Sequence, residues 1–325
     1  MAGGLTKTAN AFMSGYSFMA SSLRSKPFIS GLPLTVSFEL TNHCNLSCPE
    51  CASGSGLMKR EKGFMDIALF KKVISELNPY LYYINLFFQG EPMMHPEFFL
   101  FPEHTRNIYT VVSTNGHFLT VENSERLAVS SLKKLIVSLD GMSETIYSEY
   151  RRNGEFGKVV TGIRNIAAAR DKFHSSLKLE LQFLVNKNNE HQINKAGHFA
   201  KEVGAKLKIK SMQVLSDCDI EKWMPGKEKY RRYEKINGNY VIKNSMPGRC
   251  VRLWFNPVIT WDGKVIPCCF DKDADYVMGD LNKDTFRTIW NNSTFSEFRK
   301  LVLTHRKSIP VCRNCTSGMK KKIIR

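Results

Sequence analysis

Nine cysteines are the residues with the clearest chemical potential, and eight of them fall into two groups. The first group is Cys44, Cys48 and Cys51 in the segment TNHCNLSCPEC, directly after a run typical of a β-strand. Three thiolates on one loop can hold a [4Fe-4S] cluster and leave one of its irons open to a ligand. A structural zinc site would need a fourth ligand, such as His43. The spacing favours the cluster, and an open iron predicts a reactive site.

The second group lies near the end of the chain and supplies enough thiolates for one fully ligated cluster. Cys250 and Cys268 are followed by Cys312 and Cys315, which are separated by two residues. A zinc ribbon with four cysteine ligands normally shows two such close pairs, whereas this group shows one. Cys269 adjoins Cys268 and is the alternative ligand at that position.

Short β-rich runs alternate with amphipathic stretches, which predicts a parallel sheet with crossover helices. The predicted strands are Thr35–Leu40, Tyr82–Phe88, Thr110–Ser113, Lys134–Leu139, Lys178–Val185 and Lys206–Met212. The predicted helices are Ile67–Leu77, Val121–Ser130, Phe156–Phe173 and His191–Val203. Such a sheet is either doubly wound or curved into a partial barrel. In both cases ligands bind at the carboxyl ends of the strands, which locates the expected site.

Composition shifts divide the chain into five segments. They are a helix and lead-in at 1–33, the α/β domain at 34–216, a polar basic bridge at 217–249, a small domain at 250–318 and a basic tail at 319–325. Asp262-Gly263 predicts a hairpin in the small domain, and Thr285–Leu303 predicts two short helices.

The N-terminal helix carries apolar residues at alternating steps of four and three, which define one face. These residues are Leu5, Ala9, Phe12, Tyr16, Met19 and Leu23. We expect this face to dock on the protein body, with a membrane surface as the alternative.

Polar and glycine-containing motifs follow three of the predicted strands. They are Gln89-Gly90-Glu91-Pro92 after the second, Ser113-Thr114-Asn115-Gly116 after the third and Ser138-Leu139-Asp140-Gly141 after the fourth. Glu91 can accept hydrogen bonds from an ammonium group, and Arg151 in the segment YRRNGEF can bind a carboxylate. An ammonium and a carboxylate are the two ends of an amino acid, so the motifs predict a ligand with that character.

Together, the cysteine loop and these motifs resemble the radical S-adenosylmethionine (radical SAM) superfamily over roughly residues 34–318. The resemblance implies a partial (βα)6 TIM-like barrel and a first [4Fe-4S] cluster on Cys44, Cys48 and Cys51. It also implies that S-adenosylmethionine (AdoMet) contacts Gly90, Glu91, Ser113, Asn115, Ser138, Asp140 and Arg151. Gln89 stands where the family usually has a glycine.

The second cysteine group resembles the twitch domain, a shorter relative of the SPASM domain. This resemblance implies an auxiliary [4Fe-4S] cluster held by Cys250, Cys268, Cys312 and Cys315. The distance from Gly263 favours Cys268 over Cys269. The full SPASM pattern needs more cysteines than this group contains, so we expect a single auxiliary cluster.

The resemblance implies an oxidoreductase that cleaves AdoMet to a 5′-deoxyadenosyl radical. This radical would remove a hydrogen atom from a small polar or carbohydrate-like substrate, and the auxiliary cluster would accept an electron. A peptide- or protein-modifying maturase is the main alternative, although the 34 residues before the first predicted strand are few for a leader-recognition domain.

Two further alternatives remain. An epimerase could use Cys218 as a hydrogen donor, although a small structural cysteine explains this residue as well. Asp217 and Asp219 beside it are candidate bases, and no catalytic base is assigned. A non-enzymatic iron–sulfur scaffold or sensor is the remaining class.

The formal charge of +17 favours acidic partners, among them a flavodoxin or ferredoxin-type electron donor and an anionic substrate. The segment KWMPGKEKYRRY interleaves aromatic and basic residues but is short, and no nucleic-acid partner is expected. The chain has no run of about 18 apolar residues and therefore no predicted transmembrane helix. Residues 8–23 are too polar for a signal peptide, and the odd cysteine count argues against a disulfide framework, which together predict a cytoplasmic protein.

Overall fold

The computed structural model describes residues 2–243 and 246–316. The strands are β1 Thr35–Phe38, β2 Tyr83–Asn85, β3 Tyr109–Thr114, β4 Lys134–Ser138, β5 Lys178–Val185, β6 Lys206–Ser211, β7 Tyr233–Ile236, β8 Asn239–Ile242, β9 Val258–Ile259, β10 Lys264–Ile266 and β11 Gly279–Asp280. The helices are α1 Ala2–Arg24, α2 Ile67–Leu77, α3 Leu100–Glu103, α4 Val121–Val129, α5 Glu144–Tyr150, α6 Phe156–Lys172, α7 Ile193–Glu202, α8 Ile220–Trp223, α9 Arg252–Phe255, α10 Phe286–Asn291, α11 Ser293–His305 and α12 Pro310–Arg313.

The main sheet has nine strands in the order β11-β10-β9-β1-β2-β3-β4-β5-β6. From β1 to β6 each strand pairs in parallel with the next one along the chain. This arrangement confirms the predicted α/β class and partial barrel. It places the ends of β1 to β4, where the predicted motifs lie, along one edge of the sheet.

The two faces of the sheet differ in chemistry because side chains alternate along each strand. The outer face packs into the apolar core through residues such as Val137, Leu181 and Phe183, all completely buried. The opposite face, which we call the inner face, carries mostly polar residues, including Ser37, Asn85 and Ser113.

Helix α1 docks on the protein body, but the prediction about its docking face is wrong. Leu5, Phe12 and Leu23 have exposed fractions of 75%, 76% and 80%. The buried residues of this helix include Asn10, Ser14, Ser17 and Ser21. Their side chains bond the main chain of residues 28–32; for example, Asn10 accepts from Leu32 N at 2.8 Å and Ser21 Oγ accepts from Phe28 N at 2.8 Å. Small polar side chains let the helix approach this extended segment closely and satisfy its backbone groups.

The bridge at 217–249 contains an antiparallel hairpin, β7–β8, that the sequence analysis missed. Asn237 and Gly238 connect its strands with positive φ angles of 49° and 81°. This dipeptide is a strong signal for a tight hairpin turn, but the high charge of the bridge hid it.

The C-terminal segment is joined to the barrel through the sheet itself. The predicted hairpin around Asp262-Gly263 is present as β9 and β10, and β9 pairs in parallel with β1. The two predicted short helices correspond to α10 and α11. The last residues of the predicted small domain, 317–318, and the predicted tail at 319–325 lie outside the described residues. Among the described helices, none is both long and apolar enough to cross a membrane.

Candidate functional site

The first cysteine group lies on a loop that leaves the carboxyl end of β1. Thr41 and Asn42 shape the start of this loop: Thr41 Oγ1 donates to Gly63 O at 2.7 Å, and Asn42 Nδ2 donates to Glu61 O at 2.8 Å. Cys48 is buried, while Cys44 and Cys51 are partly exposed. The loop therefore presents three thiols that other parts of the chain hold in place.

The Gly90-Glu91 motif packs directly on the cysteine loop. Glu91 N donates to His43 O at 2.7 Å, and Gly90 N donates to Ser53 Oγ at 3.0 Å. Gly90 has a φ of +73°, and a Cβ at this position would lie 2.5 Å from Thr41 O. Only glycine fits this close approach of two backbones.

The Glu91 carboxylate is buried and joins the second motif to the third. Its Oε2 accepts from Asn115 N at 2.6 Å, and its Oε1 accepts from Thr114 Oγ1 at 2.8 Å and from Met93 N at 3.1 Å. Burial raises the pKa of Glu91 to about 7, and these three hydrogen bonds oppose the rise. The resemblance implies a contact with a ligand ammonium, but both carboxylate oxygens here already have partners within the protein.

Asn115 connects the third motif to the cysteine loop. Its Nδ2 donates to Asn45 Oδ1 at 2.7 Å and lies 4.0 Å from Cys44 Sγ. Ser113, on the inner face of β3, is half-buried, and Ser138 is 8% exposed and pairs with Gln182 across β4 and β5. These three residues lie at or just after the carboxyl ends of β3 and β4.

Asp140 and Arg151 form a buried ion pair beside the first cysteine group. Asp140 Oδ2 accepts from Arg151 Nε at 2.6 Å and Nη2 at 2.5 Å, and Oδ1 accepts from Leu184 N at 2.6 Å. Arg151 Nη1 also lies 3.7 Å from Cys48 Sγ. Arg151, the predicted partner of the AdoMet carboxylate, is thus held by the Asp140 carboxylate and contacts Cys48, a predicted cluster ligand.

The donor set of this loop fits an iron–sulfur cluster. Burial raises the pKa of Cys44 to about 12 and also raises the pKa of Cys48, which the Arg151 charge partly opposes. The metal-free thiols of Cys44 and Cys48 are consequently neutral near pH 7, and cluster binding must release their protons. The cationic Arg151 guanidinium then compensates part of the negative charge that the bound thiolates bring.

The four predicted auxiliary ligands line a single cavity. Cys250, Cys268, Cys312 and Cys315 are all buried around it, and Arg306 Nη2 lies 3.8 Å from Cys315 Sγ. Burial raises the pKa of Cys268, and it raises the pKa of Cys312 to about 11.

Cys269 is half-buried and is not among the residues that line the cavity. A cavity lined by four thiols, with a guanidinium nearby, supplies the donor set of a fully ligated cluster.

Cys218 belongs to neither cysteine group, although the segment before it contacts the first: Leu215 N donates at 2.7 Å to the carboxylate of Glu50, which adjoins Cys51. Cys218 and Asp217 are exposed on a short 3₁₀ turn, Asp217–Asp219, that follows β6. Among the described residues, Cys218 makes no hydrogen bond to the motifs at the strand ends. Within the described ranges, no three His, Cys, Asp or Glu side chains converge closely enough to hold a single metal ion.

A second buried ion pair, which the sequence analysis missed, connects the cysteine loop to the C-terminal segment. Glu39 has no side-chain exposure and accepts from Arg60 Nη2 at 2.6 Å and Nη1 at 2.7 Å. Trp261 N also donates to Glu39, and Arg60 Nε donates to Lys272 O at 2.9 Å. The signal was a lone carboxylate inside an otherwise apolar run, VSFEL, where an unpaired charge would be costly.

Comparison with known families gives two matches. The radical SAM superfamily model matches residues 38–177, and an iron–sulfur cluster-binding domain model, SPASM, matches residues 250–316. Together these stretches make up more than half of the chain.

Among curated proteins, the chain is 29% identical over 312 residues to the mycofactocin maturase MftC of Mycobacterium tuberculosis, covering 87% of this chain and 75% of that protein. It is 22% identical over 289 residues to an S-adenosyl-L-methionine-dependent 2-deoxy-scyllo-inosamine dehydrogenase of Niallia circulans, covering 87% and 92%. Among solved structures, BtrN in complex with AdoMet and 2-DOIA matches with a TM-score of 0.56 and 21% identity, covering 89% of this chain and 95% of that one.

Proposed function

Because the chain belongs to the radical SAM superfamily and carries a C-terminal SPASM-type iron–sulfur domain, we propose that it is an oxidoreductase acting on a small polar substrate inside the barrel. As a member of this family it is an enzyme that uses [4Fe-4S] clusters and AdoMet. The observation that carries the proposal is the meeting of three motifs with the cysteine loop at one edge of the sheet: Glu91, Asn115 and the Asp140–Arg151 pair.

In this proposal the first cluster is held by Cys44, Cys48 and Cys51 and the auxiliary cluster by Cys250, Cys268, Cys312 and Cys315. When bound, the first cluster and AdoMet supply a carbon radical that removes a hydrogen atom from the substrate, and the auxiliary cluster supplies an acceptor for the electron that the substrate then gives up. The loss of a hydrogen atom, an electron and a proton would amount to a two-electron oxidation.

The protein's own part is to position the reactants. In this proposal Arg151, which Asp140 orients, binds the carboxylate of AdoMet by charge-assisted hydrogen bonds. Glu91 would act as a positioning residue that fixes the ends of β2 and β3, while the main chain around Gly90 lies against the cysteine loop. Fixing these groups before the reaction reduces the entropic cost of alignment.

A peptide-modifying function is the second candidate, because similarity to the maturase MftC extends over most of both chains. The two candidates predict different substrates, a small molecule or a peptide. An electron donor of the flavodoxin or ferredoxin type is part of both proposals, since the basic surface suits an acidic redox partner.

The decisive experiment is deuterium transfer into 5′-deoxyadenosine. The anaerobically reconstituted enzyme would receive AdoMet, a reductant and extracts of deuterium-grown source cells, split into small-molecule, peptide and lipid–saccharide fractions. Label that appears with the small-molecule fraction supports the oxidoreductase, and label that appears only with the peptide fraction supports the maturase.

Two variants accompany this experiment. Replacement of Cys44, Cys48 and Cys51 by Ala should abolish AdoMet cleavage and lower the iron content from about eight to about four per chain. The matched control Cys218→Ala, at an exposed cysteine, should keep the full iron content. AdoMet cleavage that persists in the triple variant would overturn the assignment of the first cluster.

A further inference from the structure

The inner face of the barrel carries an unusual row of lysines on three adjacent strands. Lys206, Lys208 and Lys210 occupy alternate positions of β6 and therefore point to the same face. The residues between them, Leu207 and Ile209, pack against the apolar core on the outer face. The lysine row thus lies on the face that looks into the barrel.

Lysines on the neighbouring strands continue this row. Lys134 of β4 pairs in register with Lys178 of β5, and Glu180 of β5 pairs with Lys206 of β6. Glu180 bonds Lys134 Nζ at 2.6 Å, which confirms that the two side chains share a face. Because Glu180 is paired with Lys134, its charge offsets those of the β6 lysines only in part. In the described part of the chain, no carboxylate lies within ion-pair distance of Lys208 or Lys210.

One end of the row lies beside the predicted reaction centre. Lys210 pairs with Leu184, whose N–H is bonded to Asp140. Two residues after Lys210, Met212 belongs to the same buried cluster as Cys48. The side chain of Lys210 is therefore anchored one strand away from the Asp140–Arg151 pair.

The same lysine is linked to the auxiliary cavity through the charge of Arg252. The side chain of Lys210 is exposed, but partial desolvation lowers its pKa, and the charges of Lys208, Lys134 and Arg252 add to this effect, whereas Glu180 opposes it. Arg252 lines the auxiliary cavity together with Cys250 and Cys268. Lys210 is thus linked through Leu184 to the Asp140–Arg151 pair and through Arg252 to the auxiliary cavity, so a substrate bound at this lysine would be near residues of both sites.

The opposite end of the row opens into a cleft at the amino ends of the strands. Tyr109, Lys134, Lys178 and Lys206 line this cleft, which has a volume of about 440 Å³. The first and last lysines of β6 are about 13 Å apart along the strand, at roughly 3.3 Å per residue. The row can therefore contact negative groups that are several ångströms apart on one molecule.

We propose that the substrate is a small polyanion, with at least two carboxylate or phosphate groups that Lys208 and Lys210 hold inside the barrel. This inference rests on the proposed function in placing the substrate between the two cysteine groups. Lysines also protect exposed edge strands from pairing with other chains, and β6 is an edge strand. Edge protection alone does not explain Lys134 and Lys178, which continue the row on interior strands.

The test measures binding without radical chemistry. Citrate is the carboxylate probe, pyrophosphate the phosphate probe and glucose the uncharged probe. Each probe is titrated into the reconstituted enzyme, with AdoMet already bound, in a calorimeter. We expect the double variant Lys208→Gln/Lys210→Gln to bind at least one anionic probe about 100-fold more weakly, or about tenfold per lysine, which corresponds to about 1.4 kcal/mol each. The probe that responds identifies the anionic group.

The matched control is Lys201→Gln/Lys300→Gln, which removes two exposed lysines from helices and should change affinity less than twofold. The variant Lys208→Arg/Lys210→Arg should keep most of the affinity because it keeps the charge. As a measurement that needs no variant, reductive methylation of the wild-type enzyme should label Lys208 and Lys210 more slowly when the responding probe is bound.

The proposal is overturned if the Gln double variant and the control bind the anionic probes with equal affinity. It is also overturned if the wild-type enzyme binds neither anion better than glucose. An enzyme that binds the probe through these lysines but never cleaves AdoMet would refute the proposed function and leave this inference standing. An enzyme that cleaves AdoMet and takes deuterium only from molecules not retained by an anion-exchange resin would refute this inference alone.

Discussion

Replacement of Asp140 by Asn should be among the most damaging isosteric changes in this protein. Asp140 has no exposed side-chain surface, and its carboxylate receives hydrogen bonds from Arg151 and from Leu184 N. Asparagine can still accept from Leu184 N, but its amide group turns donor hydrogens towards the guanidinium. Arg151 then remains nearly buried, with 16% side-chain exposure, and loses its counter-ion.

The expected cost follows from this geometry. Removing one partner of a buried ion pair costs about 3 to 5 kcal/mol, because it leaves a charge without compensation. Since Arg151 keeps some contact with solvent, we take the lower end, about 3 kcal/mol. At roughly 2 °C per kcal/mol for a chain of this size, the midpoint of thermal unfolding should fall by about 6 °C.

The assay is anaerobic thermal unfolding of wild type and variants at one pH and ionic strength. The matched control is Glu202→Gln, which makes the same chemical change in the exposed pair of Arg164 and Glu202, where the exposed fractions are 59% and 57%. This control should lower the midpoint by less than about 2 °C, because exposed pairs contribute about 0 to 1 kcal/mol.

A double variant separates the lost ion pair from general damage. Asp140→Asn/Arg151→Gln removes both charges, so it should be more stable than Asp140→Asn alone. The AdoMet affinity measured by equilibrium dialysis should fall at least about tenfold in both variants, since Arg151 is either misplaced or absent. If Asp140→Asn unfolds within about 2 °C of wild type, the reasoning from the buried pair is refuted.

Three further predictions use the same structure. Cys268→Ser should remove about four irons per chain, whereas Cys269→Ser should keep them, as measured by iron assay and absorbance. Equal losses in the two variants would contradict the assignment of Cys268, which lines the auxiliary cavity, as the ligand. Because burial raises the pKa of Glu91 to about 7, the free energy of unfolding should fall as pH rises from about 4.5 to about 7, by an amount on the order of 3 kcal/mol. Glu91→Gln should flatten this pH dependence, measured by denaturant unfolding. An unchanged pH dependence in the variant would assign the effect to other groups. Ser14→Val should destabilise the fold by at least about 1 kcal/mol, because it overpacks a buried contact and removes a hydrogen bond. The control Phe12→Ser, at an exposed position, should change the free energy of unfolding by less than about 0.5 kcal/mol. A larger effect of Phe12→Ser than of Ser14→Val would refute the docking face of α1.

The alternating pattern of the first 212 residues predicted the barrel well, because each strand and helix there carries its own periodicity. The helix predicted at Ile67–Leu77 and the strand predicted at Lys178–Val185 have the same bounds in the structure. Cysteine spacing was equally informative about cofactors, since closely spaced thiols such as Cys44, Cys48 and Cys51 are typical of metal and cluster sites. These signals are local, and local signals can be read from one sequence.

Other features depend on partners far away along the chain. The face by which α1 docks could not be read from apolar periodicity, because its contacts are hydrogen bonds from Asn10 and serines to backbone at residues 28–32. The Glu39–Arg60 pair and the pairing of β9 with β1 could also be predicted only with knowledge of which distant segments meet. The sequence marked Glu91 as chemically important but did not reveal that both of its oxygens bind within the protein.

The parallel pairing of β1 with β9 sets an order of events during synthesis. The two strands are more than 200 residues apart, and β1 stands between β2 and β9 in the finished sheet. Until the ribosome has released the chain past Ile259, one side of β1 has no partner, and an uncovered strand edge favours pairing with other chains. A contact between such distant segments also slows folding, because a long loop must close first. The strand that leads into the first cysteine loop is thus completed late, and a truncated or stalled chain would carry that loop beside an open edge.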